Sequence, residues 1–196
     1  MAISGLVYDR TIEDVNYWLY LTKKLDSTGW DSLDELEQVE WTTRLKGAYN
    51  FSDLNRVGEA VAYLAQRYKT FIPHLDEYRL ARGVADDVLF HVPYKDSDVA
   101  VKPKTDWHLN DHVWAEQAAR YLLDLVTLRC LMTVPDGTPE VPPDMIGLTY
   151  QEANDIERLL DMLDDEITRK TNELEQWIRN TAAAWLYCAE PNCGEV

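Results

Sequence analysis

The sequence is poor in cysteine, glycine and proline, and it carries little positive charge. Its 196 residues include three cysteines, eight glycines and eight prolines, with 19 Lys and Arg against 35 Asp and Glu. The small, odd number of cysteines is typical of a chain made in a reducing cytoplasm. A formal net charge of -16 disfavours binding to nucleic acid or to an anionic membrane, because both repel an acidic surface.

Long apolar runs and catalytic motifs are also absent. No run of about eighteen apolar residues could cross a bilayer. The first residues, MAISGLVYDR, lack the basic segment and apolar core of a signal peptide. The chain has no GxSxG, P-loop, GxGxxG or DxDxDG pattern. We therefore expect no enzyme and no cofactor.

Aromatic and apolar residues are plentiful instead. Seven Trp and eleven Tyr occur, and apolar residues make up 46% of the chain, which is enough for a packed core. Trp and Tyr bury large areas and are enriched at protein interfaces. Some of them are therefore expected to contact a partner.

Apolar periodicity predicts three helices before residue 70. Thr11 and Asp14 form a capping-box pattern, and Ser32 and Glu35 form a second one. The first helix is predicted to bury one face, and the third, with Ser52 as its N-cap, to bury another. The two predicted stripes are Ile12, Val15, Leu19 and Thr22, and Leu54, Val57, Val61, Leu64 and Tyr68. Gly47 is placed to follow the end of the second helix.

Two more helices are predicted in the second half of the chain. The fourth spans roughly 111–132, with a stripe that begins at Trp114. The fifth follows the capping box of Thr149 and Glu152 and continues to about Ala184, which is long for a globular helix. Its apolar positions are Ile156, Leu160, Leu163, Ile167, Leu174 and Trp177.

Between these groups the helical pattern lapses. Two β-rich runs, Val88–Val92 and Val99–Val101, surround a polar turn and predict a small hairpin. The expected fold is mainly α, a bundle of about five helices with a β-hairpin insert and a long C-terminal helix. The expected divisions are 1–70, 71–105 and 106–196.

The sequence also suggests two related halves. Asp53–Val61 aligns without gaps with Glu152–Leu160, which pairs Asn55 with Asn154. Short helical matches arise by chance, so a repeat and a coincidence both stay open. An Asn side chain can satisfy backbone groups of a neighbouring loop, here KGAYN or GLT. We interpret Asn55 and Asn154, with the adjacent Arg56 and Asp155, as a structural motif.

Other residues with chemical potential have simpler interpretations. His108 and His112 have i, i+4 spacing near Asp111 and could hold a metal on a helix, but exposed polar residues are the favoured interpretation. Cys188 and Cys193 could form a disulfide, but free thiols in a packed tail are favoured. The acidic run of Asp161, Asp164 and Asp165 is typical of a solvated face.

Five segments together resemble a known family. They are YDRTIEDV, KGAYNFSDLNRVGEAVAYL, KTDW, PPDMIGLTYQEANDIERLL and the terminal CGEV. The chain resembles small structural proteins in the tail modules of phages and prophages of Gram-positive, Firmicutes-like bacteria, over nearly its whole length. It differs in having Cys188 and Cys193 where Ser is commoner, and in a longer insert, DEYRLARGVADDV.

The resemblance implies a virion protein of the tail or baseplate, an adaptor assembled in the bacterial cytoplasm, with no catalytic residues. Other virion proteins and further copies of the chain are the expected partners. Expected contact residues lie in the last helix and tail, at Trp177, Trp185, Tyr187, Cys188, Cys193 and Val196. The alternative, motivated by the charge of -16, is an acidic regulatory module that mimics nucleic acid.

Overall fold

The computed structural model describes residues 3, 5–43, 45–82, 101–131 and 134–188, with side chains described to residue 70 in the third helix and to residue 180 in the last. These residues form five α-helices and no strand, so the mainly α class is confirmed. The helices are α1 (Ile12–Thr28), α2 (Glu35–Thr43), α3 (Phe51–Arg82), α4 (Ala115–Cys130) and α5 (Tyr150–Cys188), with a 3-10 turn at Trp30–Ser32. None of these helices is long and apolar enough to cross a bilayer.

The expected β insert is not supported. α3 continues through Pro73 to Arg82, so the first third of the predicted 71–105 insert is helix and the boundary after residue 70 falls inside α3. A proline removes one helical hydrogen bond but does not always end a helix. The predicted strand Val88–Val92 and most of Val99–Val101 lie outside the described residues, and Val101 is not in a strand.

The main core lies between α3 and α5, as their apolar stripes predict. Every predicted stripe residue of α3 is buried, and so are the stripe residues of α5 up to Leu174. Arg56 pairs with Glu157, and Arg67, further along α3, pairs with Asp164. The paired residues follow one another in the same order along both helices, so α3 and α5 run parallel.

α4 completes this core. Its residues Leu122, Leu125 and Leu128 are buried in the same cluster as Tyr68 of α3. The helix begins at Ala115, later than predicted, because the preceding residues form a turn in which the His108 N–H donates to the Asp111 carboxylate. Trp114 consequently caps the helix and is exposed instead of lying in the buried stripe.

α1 and α2 form a small second core. Its buried members are Leu21, Leu33 and Leu45, and Trp18, Leu25 and Trp41 pack against it. The stripe predicted for α1 is wrong: Ile12 and Leu19 are about half exposed. The helix packs on its short neighbour through another face, which periodicity alone does not reveal.

Gly47 makes this packing possible in an unexpected way. The sequence places it as a left-handed residue after a helix, but its φ is not among the positive ones. A Cβ at this position would lie 2.1 Å from the Asp14 carbonyl oxygen. The position therefore needs glycine because the chain passes directly against the backbone of α1.

The N-terminal capping boxes at Thr11 and Thr149 are confirmed. In each, the threonine hydroxyl accepts from the N–H of the acidic residue, whose carboxylate accepts from the threonine N–H.

Two other predicted caps are displaced by two residues. Asp34 and Glu37 exchange the bonds expected of Ser32 and Glu35. Asn50 takes the N-cap position of α3 in place of Ser52: its side-chain oxygen accepts from the Ser52 N–H, and its own N–H donates to Asp53. Asp and Asn are about as favourable as Ser at the N-cap, so each segment offered two possible N-cap residues.

Candidate functional site

Two extended segments cross between the halves of the molecule. The N-terminal arm, defined as residue 3 and residues 5–10, runs along α5 in the opposite direction to the helix. Its Ile3 N–H donates to Asp164 at 3.3 Å, and its Arg10 N–H donates to Asn154 at 3.1 Å, nearly three turns earlier in the helix. The arm of the first half is thus held by the long helix of the second.

A second segment, residues 101–107, makes the reciprocal crossing and is called the central arm. Its Lys104 carbonyl oxygen lies 2.5 Å from the position that a Cβ on Gly58 would occupy, and its Trp107 backbone bonds to Asn55. This segment too runs opposite to the helix that it contacts, α3. The arm of the second half is held by the long helix of the first.

Each arm ends in an asparagine clamp. Asn55 donates to the Trp107 carbonyl at 2.9 Å and accepts from the Trp107 N–H at 2.7 Å. Asn154 donates to the Arg10 carbonyl at 2.9 Å and accepts from the Arg10 N–H. An amide side chain can donate and accept at once, so one residue satisfies both backbone groups of its partner.

The two clamps are equivalent. Asn55 and Asn154 are paired in the ungapped alignment of the two helices, and the residues that they hold, Trp107 and Arg10, each precede a turn closed by an aspartate. This shared geometry favours a repeat over coincidence. The structural role inferred for the two asparagines agrees with their contacts, but the segments expected, KGAYN and GLT, were wrong. Each asparagine instead holds a residue distant in sequence.

A buried ion cluster lies beside the N-terminal clamp. A terminal nitrogen of Arg10 lies 2.8 Å from Asp53 and 2.7 Å from Glu157. Arg56 donates to Glu157 at 2.7 and 2.9 Å and also contacts Asp53. Two guanidinium groups and two carboxylates give a formally neutral cluster, which joins the N-terminal arm, α3 and α5.

The carboxylates of this cluster are well satisfied. Glu157 is fully buried, and its second oxygen also accepts from the Val7 N–H. Asp53 accepts from the Asn50 N–H at the start of α3. Burial disfavours the charge on Arg56, but the hydrogen bonds and charges of Glu157 and Asp53 outweigh it and raise the Arg56 pKa. The Arg56 guanidinium is therefore held in its charged form.

Two tyrosines cover the cluster on one side. The Tyr49 ring lies 5.5 Å from the Arg10 guanidinium, and the Tyr49 hydroxyl contacts the Tyr121 hydroxyl of α4. Burial raises the pKa of both phenols, so they stay neutral hydrogen-bonding groups. The arrangement ties α4 to the cluster.

The sequence revealed only part of this site. Asn55, Arg56 and Asn154 take part as a structural motif, but Asp155 does not: it is partly exposed and lies 3.8 Å from Arg158. Arg10, Asp53 and Glu157 were missed, because a charged residue in a sequence looks like surface. A usable signal was the phase of Glu157, which falls beside Ile156 and Leu160 on the buried side of α5.

The expected partner-binding residues are only partly described. Trp177 is half-buried and packs against the main core, and its contact with a partner stays a prediction. The backbone of α5 includes Trp185, Tyr187 and Cys188, but their side chains are not among those described. Cys193 and Val196 lie wholly outside the described residues. The expected contacts and free thiols of that segment remain predictions.

His108 and His112 are not arranged as the helical metal pair considered from the sequence, and the acidic run is not entirely exposed. His108 and His112 lie in the exposed turn before α4 and not on a helix, and in the described part of the chain no group of three or more His, Cys, Asp or Glu could hold a metal. In the acidic run Asp165 is exposed, but Asp164 is buried and pairs with Arg67. The prediction that all three aspartates face solvent was wrong for Asp164.

Another buried carboxylate, Asp124 of α4, lies under the central arm. One of its oxygens lies 2.9 Å from the Arg120 side chain and accepts weakly from the Lys102 N–H, whereas the other has no hydrogen-bond partner. Burial raises the Asp124 pKa, and the charge of Arg120 offsets this only in part. The charged form of Asp124 is therefore more costly in the folded chain than in the unfolded chain.

We expect Asp124→Asn to leave the free energy of unfolding at pH 7 unchanged or to raise it. The raised pKa means that Asp124 lowers stability above that pKa and that this cost disappears as the pH falls through it. Urea unfolding at pH 7 and near pH 4 should therefore show a benefit that shrinks with acidification. A loss of more than about 1 kcal/mol at pH 7 would mean that the bonds to Asp124 outweigh its burial.

No family model, curated protein or solved structure matches this chain.

Proposed function

We propose that the chain is a structural protein of a phage virion, an adaptor in the tail or baseplate that works through protein–protein contacts. The sequence resemblance motivates the proposal. The observation that carries it is the number of large apolar side chains left on the surface of a strongly acidic chain. Ile146 is 91% exposed, Leu109 76% and Trp114 68%. Side chains of this size are accessible to a partner, and apolar groups that lie together on a surface mark interaction sites.

The rigid joint between the halves suits the same role. An adaptor connects neighbouring proteins, so its own two halves must stay together. The crossed arms, the two clamps and the cluster around Glu157 fix the halves to each other through hydrogen bonds and ion pairs. This site is best understood as the internal joint of the adaptor, and the partners bind elsewhere.

The acidic-mimic alternative needs carboxylates arranged as one free surface. Several of the acids in the described part are instead engaged inside the molecule, including Asp53, Glu157 and Asp164, each with an arginine partner. This arrangement favours the adaptor. The two functions also differ in their salt dependence, because binding by a charge mimic weakens steeply as salt rises.

The test is to purify the assembled particles from cells that express the gene among its natural neighbours. Quantitative mass spectrometry should find the chain in the particles in a fixed ratio to a tail protein, and the ratio should survive a high-salt wash. A chain that stays in the soluble lysate would contradict the adaptor function. Its salt-sensitive capture by a nucleic-acid-binding protein would then support the alternative.

A further inference from the structure

An open groove lies between α3 and α5, beyond the ion cluster. Its volume is about 430 Å³, and its walls include Tyr63, Arg67, Ile167, Leu174, Glu175 and Ile178. Leu174 is buried at its floor, whereas Ile178 is 38% exposed. The two parallel helices thus present an apolar channel with a polar rim, of the kind that receives an amphipathic helix.

The fold already contains a filled counterpart of this groove. α4 packs against the α3–α5 pair at Tyr68, whose hydroxyl points to the Leu128 carbonyl of α4 at 3.5 Å. In the alignment that pairs Asn55 with Asn154, Tyr68 is equivalent to Ile167, which lines the open groove. One flank of the helix pair therefore has a helix seated on it, and among the described residues none covers the equivalent flank.

α4 itself has a second apolar face. Its inner side chains are buried in the core, but Ala119, Leu123, Val126 and Cys130, spaced four, three and four residues apart, are exposed. Leu123 is 52% and Val126 41% exposed. A helix that is apolar on opposite sides is normally covered on both. We call these four residues the outer stripe of α4.

The outer stripe matches the groove in length and polarity. The stripe from Ala119 to Cys130 and the groove wall from Ile167 to Ile178 each span three helical turns, about 16 Å. The groove has Arg67 near its start and Glu175 further on, whereas α4 carries Glu116 in its first turn and Arg129 in its last. Within the chain Arg67 pairs with Asp164, Glu175 with Arg179, and Arg129 with Glu140. A docked helix that runs parallel to α3, as α4 does through Tyr49–Tyr121 and Tyr68–Leu128, would add Glu116 beside Arg67 and Arg129 beside Glu175 as further members of these pairs. Such rim charges set direction more than strength.

We infer that the groove of one copy of this chain receives the outer stripe of α4 from a second copy. Because the two surfaces differ and lie on different flanks of the molecule, the contact is head-to-tail and repeats into a ring or a filament. The inference rests on the proposed function and deepens it by naming the partner and the surfaces. A three-turn contact is smaller than the roughly 800 Å² per partner of a standard interface, so assembly should require a high protein concentration.

The test uses two variants that each remove one surface, Leu123→Glu in the outer stripe and Ile178→Glu in the groove. Light scattering across a concentration series should show wild type above the monomer mass of 22.7 kDa and each variant at that mass. An equimolar mixture of the variants should form a dimer and stop there, because only one intact groove and one intact stripe remain. Leu36→Glu, at an exposed apolar position on α2, is the matched control and should assemble like wild type.

Both substitutions are at exposed positions, so circular dichroism and urea midpoints should match wild type and exclude misfolding. A wild type that stays monomeric at millimolar concentration, or variants that assemble like wild type, would overturn the inference. A mixture that forms no dimer would exclude a head-to-tail contact. A monomeric chain that is nevertheless found in purified particles would leave the adaptor function standing while this contact fails.

Discussion

Glu157→Gln is expected to lower the free energy of unfolding by about 3–5 kcal/mol, because it breaks a buried charge cluster by removing one partner. The glutamine would retain the shape of the side chain but remove the charge that faces both Arg10 and Arg56. Arg10 is only 4% exposed, so solvent can compensate little for the lost charge. A loss of this size is a large part of the stability of a typical domain.

The measurement is urea unfolding of wild type and variant at pH 7, with stability taken from the midpoint and the slope. Asp165→Asn is the matched control, since it removes the same kind of charge from the exposed side of the same helix. We expect the control to lie within about 0.5 kcal/mol of wild type. If Glu157→Gln behaved like the control, the cluster would not be the joint that holds the N-terminal arm to the two long helices.

The fold could be predicted where local pattern decides it. α3 and α5 follow from apolar spacing, and the boxes at Thr11 and Thr149 follow from short-range hydrogen bonds. The faces of α1 could not be assigned in this way. The buried face of α1 is set by the small core of Leu21, Leu33 and Leu45. Leu19 has the spacing of a buried helical position but lies outside this core and is half exposed.

The site was harder to predict because its contacts join distant parts of the chain. Arg10 and Glu157 are 147 residues apart in sequence, and Asn55 and Trp107 are 52 apart. A sequence shows that an asparagine near a helix start has a structural role, but it does not show which backbone the amide reaches. The partner becomes visible only when both arms have been placed on the helix of the opposite half.

The crossed arms also explain why a small chain repeats a short helical motif. In each half the long helix offers the same asparagine to the arm of the other half, so neither half holds its own arm. At one joint, Arg10, Asp53 and Arg56 of the first half form an ion cluster with Glu157 of α5. At the other joint, the position in α3 that is equivalent to Glu157 is Gly58, against which the central arm packs closely. The two joints therefore share geometry but differ in chemistry.

Removal of the clamps, by Asn154→Ala and by Asn55→Ala, is the second large effect that we expect. Each substitution leaves a backbone N–H and a carbonyl without their partner, which costs about 1–3 kcal/mol for a buried group. The residues that the clamps hold, Arg10 and Trp107, are both buried, but the loss should be larger for Asn154, which is 8% exposed, than for the half-buried Asn55. Urea unfolding of the two variants measures both losses.

Combination with Glu157→Gln separates the two joints. Asn154 and Glu157 both hold the N-terminal arm through Arg10, so their losses should be less than additive, by at least about 0.5 kcal/mol. Asn55 holds the central arm, and its loss should add to that of Glu157 within about 0.5 kcal/mol. Hydrogen exchange should agree, with faster exchange at the Arg10 amide in Asn154→Ala and at the Trp107 amide in Asn55→Ala. Equal coupling of both asparagines to Glu157 would contradict two separate joints and indicate that the arms are released together.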